Sequence, residues 1–327
     1  MNEEALPVCR VGEIDESEET SRWLVDQLWS RAAVGFVGGA PKLGKTWLGL
    51  DLALSVATAT ACLDTFQIHE PGDTLVYLAE DHPTLVRQRL AGLCRRRGLE
   101  IKHVPVHAIT AASLRLDLEC DRMRLGDTVE RIQPRLLVLD PLVRLHRKDE
   151  NHAGDVAELL AFLRELQRTY DLAVVVVHHM RKGGGGHAGQ ALRGSGDFHA
   201  WTDSALYLRV RRDRLVLQAE HRAAPAPDPI ELRLCSRPDG SETRLQVVRD
   251  RDLEQQATEA PVSTTPLAER IADLLQSIAQ PVTRVQLRRQ LRVNNQRLGH
   301  ALADLADRGV VCRSQQGWLY SQVQIHD

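Results

Sequence analysis

The sequence has no long apolar run, no paired cysteines and no large surplus of one charge, and each absence narrows the choice of protein class. No apolar segment approaches the roughly 18 residues that a membrane span requires, so we expect no membrane association. The acidic N-terminus contains no apolar signal segment, and the six cysteines stand without a CxxC pair or metal-ligand spacing. These features predict a cytoplasmic protein with reduced thiols.

Charge is nearly balanced over the whole chain but not along it. The formal net charge of the 327 residues is -2, and 43% of them are hydrophobic, which is ordinary for soluble globular domains. Residues 1–21 form an acidic N-terminal segment with seven acidic side chains and one arginine, Arg10. The last 66 residues carry eight arginines against five acids, so contact with nucleic acid is permitted there without being required.

Residues 22–250 read as one α/β domain. Short apolar runs such as AVGFV, TLVYLA, RLLVLD and LAVVVVH are typical of strands buried on both faces of a parallel sheet. Segments with apolar spacings of three and four, typical of amphipathic helices, lie between them. After residue 200, four strand-like pieces separated by turn residues predict hairpins that extend the sheet.

The C-terminal part of the chain has a different pattern. Residues 251–265 lack periodicity and contain Pro, Ser and Thr, which predicts a linker. Residues 266–327 show three helical patterns followed by VVCRSQQGWLY, which reads as two strands around a polar turn. Three helices followed by a hairpin is the order of a winged helix-turn-helix domain.

The stretch GAPKLGKT fits the pattern G-x-x-x-x-G-K-[ST] between an apolar strand and a helical pattern. In that context the backbone N–H groups of the loop and the helix N-terminus bind phosphate oxygens, although a flexible strand-to-helix turn is the alternative. Lys45 would contact the β- and γ-phosphates, and the Thr46 hydroxyl would bind Mg²⁺. The predicted nucleotide-binding residues are Gly39, Ala40, Pro41, Lys42, Leu43, Gly44, Lys45, Thr46 and Trp47.

Two further apolar strands end in acidic residues. RLLVLDP ends in Asp140, which with Thr46 forms the predicted Mg²⁺ site for bound ATP. TLVYLAED, the strand after the phosphate-loop helix, ends in Glu80 and Asp81. Pro141 follows Asp140, so no glutamate stands beside Asp140 to act on the attacking water. We therefore predict that Glu80 orients this water, and Asp81 is the second candidate. Two solvated loop acids are the alternative.

The strand LAVVVVHH ends in His178 and His179, at the edge where a group sensing the γ-phosphate would lie. Adjacent histidines of a strand point to opposite faces, and no further ligands stand at convincing spacing. A hydrogen-bonding sensor is therefore favoured over a metal site. The following GGGGHAG, flanked by Arg181, Lys182 and Arg193, is either an idle linker or a loop ordered by nucleic acid.

In this order the motifs resemble the RecA-like hexameric ATPases, most closely the RepA-type replicative helicases of plasmids and phages, within the wider AAA family. The motifs that carry the resemblance span residues 22–250: RWLVDQLW, GAPKLGKT, YLAED, LLVLDPL, VVVHHMRK and LRGSGD. The resemblance implies a RecA-like P-loop core with a mostly parallel sheet. It also implies a homo-oligomeric ring, usually hexameric, with ATP between subunits and single-stranded DNA in the channel.

Such rings usually supply an arginine from the neighbouring subunit to the γ-phosphate. The segment LVLQAEHRAAPAP resembles the family's basic pair on a late strand, which makes Arg222 the predicted arginine finger. The segment FHAWTDS carries no arginine where plasmid relatives have one, so Arg193 and Arg209 remain alternatives.

The last helical pattern suits contact with duplex DNA. Leu298, Leu302 and Leu305 would face the core of the small domain, and the helix start would present polar side chains to a major groove. These are Asn294, Asn295, Gln296, Arg297 and His300, with Arg284, Arg288, Arg289 and Arg292 placed for phosphates. Docking of a protein is the alternative.

Two functions follow from these features. The first is an ATP-hydrolysing ring that moves along DNA, a replicative-type helicase of a plasmid, phage or mobile element. The second is an ATP-dependent DNA-binding regulatory or loader protein without unwinding activity. The basic residues around the glycine-rich stretch favour the first, and the appended small domain favours the second.

Overall fold

The computed structural model describes ten stretches of the chain: residues 8–13, 22–148, 153–179, 196–211, 213–237, 242–248, 267–278, 280–291, 295–314 and 317–321. The chain divides into two compact units, Met1–Val248 and Arg249–Asp327. No helix in these stretches is both long enough and apolar enough to cross a membrane.

A nine-stranded sheet forms the centre of the first unit, in the order β11-β10-β9-β8-β3-β7-β6-β4-β5. Its strands are β3 (Val34–Gly39), β4 (Thr74–Leu78), β5 (Val106–Ala108), β6 (Leu136–Asp140), β7 (Ala173–His179), β8 (Ser204–Arg211), β9 (Arg214–His221), β10 (Ile230–Ser236) and β11 (Thr243–Val247). The six strands from β8 to β5 in this order are parallel, and β8 to β11 are antiparallel neighbours. A short hairpin of β1 (Trp23–Val25) and β2 (Trp29–Ser30) precedes the sheet.

Helices cover the parallel strands on both faces. The helices of this unit are α1 (Lys45–Thr58), α2 (Pro83–Arg96), α3 (Glu119–Ile132), α4 (Ala153–Tyr170) and α5 (Gly196–Trp201). One core joins α1 and α2 to the sheet through residues such as Leu50, Val138 and Leu217. A second core joins α3, α4 and α5 to the opposite face through residues such as Leu125 and Phe198. Burial on both faces explains why the parallel strands are continuously apolar.

Because the parallel strands share one direction, their carboxyl ends meet at one edge of the sheet. β7 lies between β3, which leads into the phosphate loop, and β6, which ends in Asp140. The register pairs Gly39 with His179 and Leu78 with Asp140. The motifs at the ends of β3, β4, β6 and β7 are therefore neighbours in space.

The second unit contains three helices and a hairpin: α6 (Leu267–Ile278), α7 (Arg284–Leu291), α8 (Asn295–Asp307), β12 (Val311–Ser314) and β13 (Gly317–Tyr320). The three leucines predicted to face its core, Leu298, Leu302 and Leu305, are buried. α7 starts with a capping box, since Gln286 N donates to Thr283 Oγ1 at 3.3 Å and Thr283 N donates to Gln286 Oε1 at 2.8 Å.

The predicted fold class, an α/β unit with a large and mostly parallel sheet extended by hairpins, is confirmed. The pattern missed α3 and β5. On α3 only Asp121, Leu125 and Val129 are buried, so its apolar stripe is too narrow to be recognised by periodicity. β5 has three residues on the edge of the sheet. The predicted linker, residues 251–265, lies outside the described residues.

Candidate nucleotide site

The loop between β3 and α1 is shaped by a glycine. Gly44 has a φ of +93°, a left-handed conformation that side chains other than glycine's rarely adopt. It is the N-cap of α1, and its carbonyl accepts a hydrogen bond from Leu48 N at 3.0 Å. The helix thus begins directly after the turn, so its N-terminus faces the space enclosed by the loop, where it favours anions.

Lys45 folds back over this loop. Its side chain is buried, and Nζ donates to the carbonyl oxygens of Gly39 at 3.0 Å and Ala40 at 2.9 Å. Burial lowers the pKa of Lys45, and the nearby Asp140 carboxylate opposes that shift. An ammonium group has three donors, so one remains for an anion inside the loop.

Asp140 is the most perturbed carboxylate of the site. It is 8% exposed at the end of β6 and accepts a hydrogen bond from the Thr46 side chain. Burial raises the pKa of Asp140 to about 6. Thr46 and Lys45 oppose the shift, whereas Asp81 and Glu80 reinforce it. Two acids and a buried carboxylate thus share one electrostatic neighbourhood, which favours a bound cation.

The two acids after β4 have different environments. Asp81 is 14% exposed and is paired with Arg89 Nη1 of α2 at 2.8 Å. Burial raises the pKa of Asp81, Arg89 lowers it, and Glu80 adds to the rise. Glu80 is 50% exposed, and its Oε1 accepts a hydrogen bond from Arg144 Nε at 2.8 Å.

Arg89 and Arg144 are site residues that the sequence pattern missed. The Arg89 guanidinium also lies 5.2 Å from the ring centroid of Trp47, so it joins α2 to the start of α1. Arg144 stands four residues after Asp140, in the 3₁₀ turn Leu142–Arg144. Neither arginine belongs to a motif, because each is brought to the site by the packing of separate elements.

The two histidines at the end of β7 take different positions. His178 is buried and packs against the rings of Phe36 and Phe198, at centroid distances of 5.9 and 5.4 Å. His179 is partly exposed, and strand alternation places it on the other face, which α1 covers, opposite Gly39 in the register. His179 is therefore better placed than His178 to reach a ligand of the phosphate loop.

Arg222 directly follows β9 and lies opposite Asp203, at the end of the sheet away from the phosphate loop. Its backbone N donates to Asp203 O, and its Nη1 is 3.6 Å from Asp203 Oδ1. The register places Leu208 beside Gly39, so Arg222 is about 16 Å along the sheet from the loop at ~3.3 Å per residue. It therefore does not belong to the nucleotide site of its own chain. Its neighbour His221 is held by Ser204 Oγ and by Gln27 O.

Of the alternatives to Arg222, Arg209 lies on β8, one residue beyond the level of Gly39. Arg193 and the glycine-rich stretch lie outside the described residues, as do Arg292 and Asn294 of the C-terminal unit. Arg284, Arg288 and Arg289 lie on α7, and Asn295, Gln296, Arg297 and His300 lie on α8.

The residues present fit a magnesium nucleotide. The Thr46 hydroxyl and the Asp140 carboxylate supply oxygen ligands, which Mg²⁺ prefers, and the loop and Lys45 supply donors for phosphate oxygens. Within the described stretches there is no cluster of three or more His, Cys, Asp or Glu side chains able to hold a metal ion by themselves. A cation at this site would therefore share its ligands with the phosphates.

A family model described as an AAA domain matches residues 2–185 of this chain. The match spans more than half of the chain and includes the phosphate loop, Glu80, Asp140 and both histidines, whereas β8 to β11 lie beyond it. Among solved structures, the crystal structure of the RadB recombinase is similar to this chain, with 17% sequence identity and a TM-score of 0.49. The similar region covers 67% of this chain and 92% of the RadB chain.

Proposed function

The chain belongs to the AAA domain family, and from this premise we propose that it hydrolyses ATP with Mg²⁺ in a RecA-like site and acts on DNA. The observation that carries the proposal is the cluster of Lys45, Thr46 and Asp140 at one sheet edge, with Glu80 at the end of a neighbouring strand.

Each residue has a role that follows from its environment. Lys45 and the loop N–H groups would hold the phosphates, and Thr46 and Asp140 would hold Mg²⁺, which neutralises charge on the transferred phosphoryl group. Glu80 would accept the proton of the attacking water once it leaves Arg144, its present partner. His179 would sense the γ-phosphate.

We assign the protein to the RepA-type helicases, as a hexameric ring with single-stranded DNA in its channel. The order of the motifs over residues 22–250 supports this assignment. Since Arg222 lies far from its own phosphate loop, it would act only on the nucleotide of a neighbouring subunit. The three helices and hairpin of the second unit are read as a winged helix that contacts duplex DNA.

The second unit also supports a different function. A DNA-binding domain appended to an ATPase suits a regulatory or loader protein, in which nucleotide controls assembly and no strands are separated. The two functions differ in one measurable activity, the displacement of a DNA strand. Both predict ATP hydrolysis stimulated by DNA, but only the helicase displaces a strand from a forked duplex.

The experiment therefore measures ATP hydrolysis with and without single-stranded DNA, alongside strand displacement from a fork. The mass of the protein in solution is measured with and without ATP. The helicase proposal expects stimulated hydrolysis, displacement and an ATP-dependent ring. Stimulation without displacement would leave the loader as the function, and a monomer under all conditions would contradict the ring.

Glu80→Gln tests the catalytic base. We expect the variant to bind ATP as the parent does and to hydrolyse it roughly 10²–10⁴-fold more slowly, since the amide cannot take a proton. The control is Glu130→Gln, an exposed position on α3 remote from the loop, which should hydrolyse normally. Unchanged turnover in Glu80→Gln would remove Glu80 from this role and direct the search to Asp81.

A further inference from the structure

The antiparallel part of the sheet, β8 to β11, has two unlike faces. One face packs against the core of α1 and α2 through Leu217, Leu232 and Leu245. Beyond Ala205 and Tyr207, which belong to the opposite core, the other face is lined mostly by polar side chains. Strand alternation and register assign five arginines to this polar face: Arg209, Arg211, Arg214, Arg233 and Arg244. We call it the arginine face.

Three of these arginines stand in one row across the strands. Arg211 is paired with Arg214 in the register, and Leu215 with Leu232, which brings Arg233 beside Arg214. Neighbouring strands lie about 4.8 Å apart, so the row places a cation on each of three successive strands. Two acids, Glu220 and Glu231, share the face, which leaves a surplus of positive charge.

The arginine face also contains donors without acceptors. Arg209 Nη2, Arg233 Nε and Arg244 Nε are shielded from solvent, and no hydrogen-bond partner for these three atoms exists among the described residues. Arg214 Nη1 pairs with the carboxylate of Glu231, at 2.7 Å from Oε2. Among the described residues, the other four arginines of this face form no ion pair with a carboxylate. A buried donor without a partner costs about 1–3 kcal/mol, so three of them on one face indicate a missing acceptor.

The face reaches the same sheet edge as the nucleotide site. β8 continues to Arg211, three residues past Leu208, which is level with Gly39. β8 and its partner β9 therefore extend beyond the end of β3. This region lies outside residues 2–185, the part that the family model matches.

We propose that the arginine face of β8 to β11 binds the phosphate backbone of single-stranded DNA. Guanidinium groups donate two parallel hydrogen bonds to a phosphate, and every cation of the row is an arginine. These cations stand on neighbouring strands of one sheet face, and the donors without partners are shielded from solvent. A flexible single strand can adjust its backbone to a row of cations, whereas the phosphates of a duplex have a fixed spacing. The inference rests on the proposed action on DNA and adds a contact surface to it.

The test uses the full chain and a fluorescent single-stranded oligonucleotide, with affinity measured by anisotropy at several salt concentrations. The variant replaces three arginines of the face together: Arg211→Gln, Arg233→Gln and Arg244→Gln. Three lost phosphate contacts reduce the slope of log K against log salt by about 2, and weaken binding about tenfold or more. A single variant, Arg233→Gln, should reduce the slope by about 0.7 and serves if the triple variant does not fold.

The matched control removes the same charge elsewhere: Arg87→Gln, Arg131→Gln and Arg168→Gln, three exposed arginines on α2, α3 and α4. It should retain the parent's slope. Equal affinity and slope in the two triple variants would overturn the proposal. The proposal would also be overturned if the glutamine triple variant bound single-stranded DNA as the parent does but no longer bound a peptide of residues 1–21, the acidic segment. That result would assign the arginine face to the acidic segment.

Hydrolysis of ATP without DNA is measured on the same samples, so that two failures can be told apart. We expect the glutamine triple variant to hydrolyse ATP at the parent's rate. Absence of hydrolysis in the parent would contradict the proposed ATPase, while weakened single-strand binding by the triple variant would still support the arginine face. Normal hydrolysis with unchanged binding would contradict the arginine face alone.

Discussion

Replacing Asp140 with asparagine should stabilise the protein while abolishing its proposed activity. Burial raises the pKa of Asp140 to about 6 from the 3.8 of an exposed aspartate. The folded state therefore prefers the protonated acid, and ionisation costs stability as pH rises from about 4 to about 6. Above about pH 6 the full cost is present. Asparagine has the shape of the protonated acid and never ionises.

The size of the effect follows from the pKa. The rise in the pKa from 3.8 to about 6 corresponds to about 3 kcal/mol at pH 8, and to roughly half of that at pH 5, where most of the acid is still protonated in the folded state. The gain is partly offset, since Lys45 loses the carboxylate that opposes its own lowered pKa. We expect a net gain of about 1–2 kcal/mol at pH 8, or roughly 2–8 °C in melting temperature.

The assay is thermal and urea unfolding of parent and variant at pH 5 and pH 8 without nucleotide. The difference in unfolding free energy between the two proteins should be larger at pH 8 than at pH 5 by about 1 kcal/mol. Asp127→Asn, at an exposed position of α3, is the control and should show no such difference. If Asp140→Asn were less stable than the parent at pH 8, or its advantage were larger at pH 5, the burial argument would be wrong.

Two further predictions concern packing away from the site. Arg97 pairs with Asp51 at 2.8 Å, and both side chains are less than 10% exposed. Arg97→Ala should lower the free energy of unfolding in urea by about 3–5 kcal/mol, because the buried carboxylate loses its cation. A loss below about 1 kcal/mol would contradict this reasoning. A Cβ on Gly35 would lie 1.8 Å from the Ser204 carbonyl oxygen, whereas one on Gly126 would meet nothing within 4 Å. Gly35→Ala should therefore lower the melting temperature markedly and Gly126→Ala should raise stability by about 0.5–1 kcal/mol; similar melting of both variants would refute the distinction.

The fold was largely predictable because its parallel strands are buried on both faces. Such strands are continuous apolar runs, and the phosphate loop fixes where the first of them ends. α3 was not predictable in the same way, since its buried side chains are few and its exposed surface is rich in charge. The strand order β3-β7-β6-β4 depends on which strands pair in the folded sheet, and no local sequence pattern predicts it.

The site was predictable to the extent that its residues end strands. Lys45, Thr46 and Asp140 belong to local motifs, so their proximity followed from a shared sheet edge. Arg89 and Arg144 reach the site from a helix and a turn, and their pairing with acids depends on how those elements pack. Residues of this kind have no spacing that distinguishes them from surface arginines.

These two arginines also bear on which acid is free to act as the base. Asp81 and Arg89 are 14% and 22% exposed, so their pair is held in a partly dry environment beside Trp47. Glu80 and Arg144 are 50% and 61% exposed, and a pair so open to solvent contributes about 0–1 kcal/mol. Rotating Glu80 away from Arg144 therefore costs little, whereas releasing Asp81 would leave two less exposed charges unpaired. The difference favours Glu80 as the mobile base and Asp81 as a fixed anchor for α2.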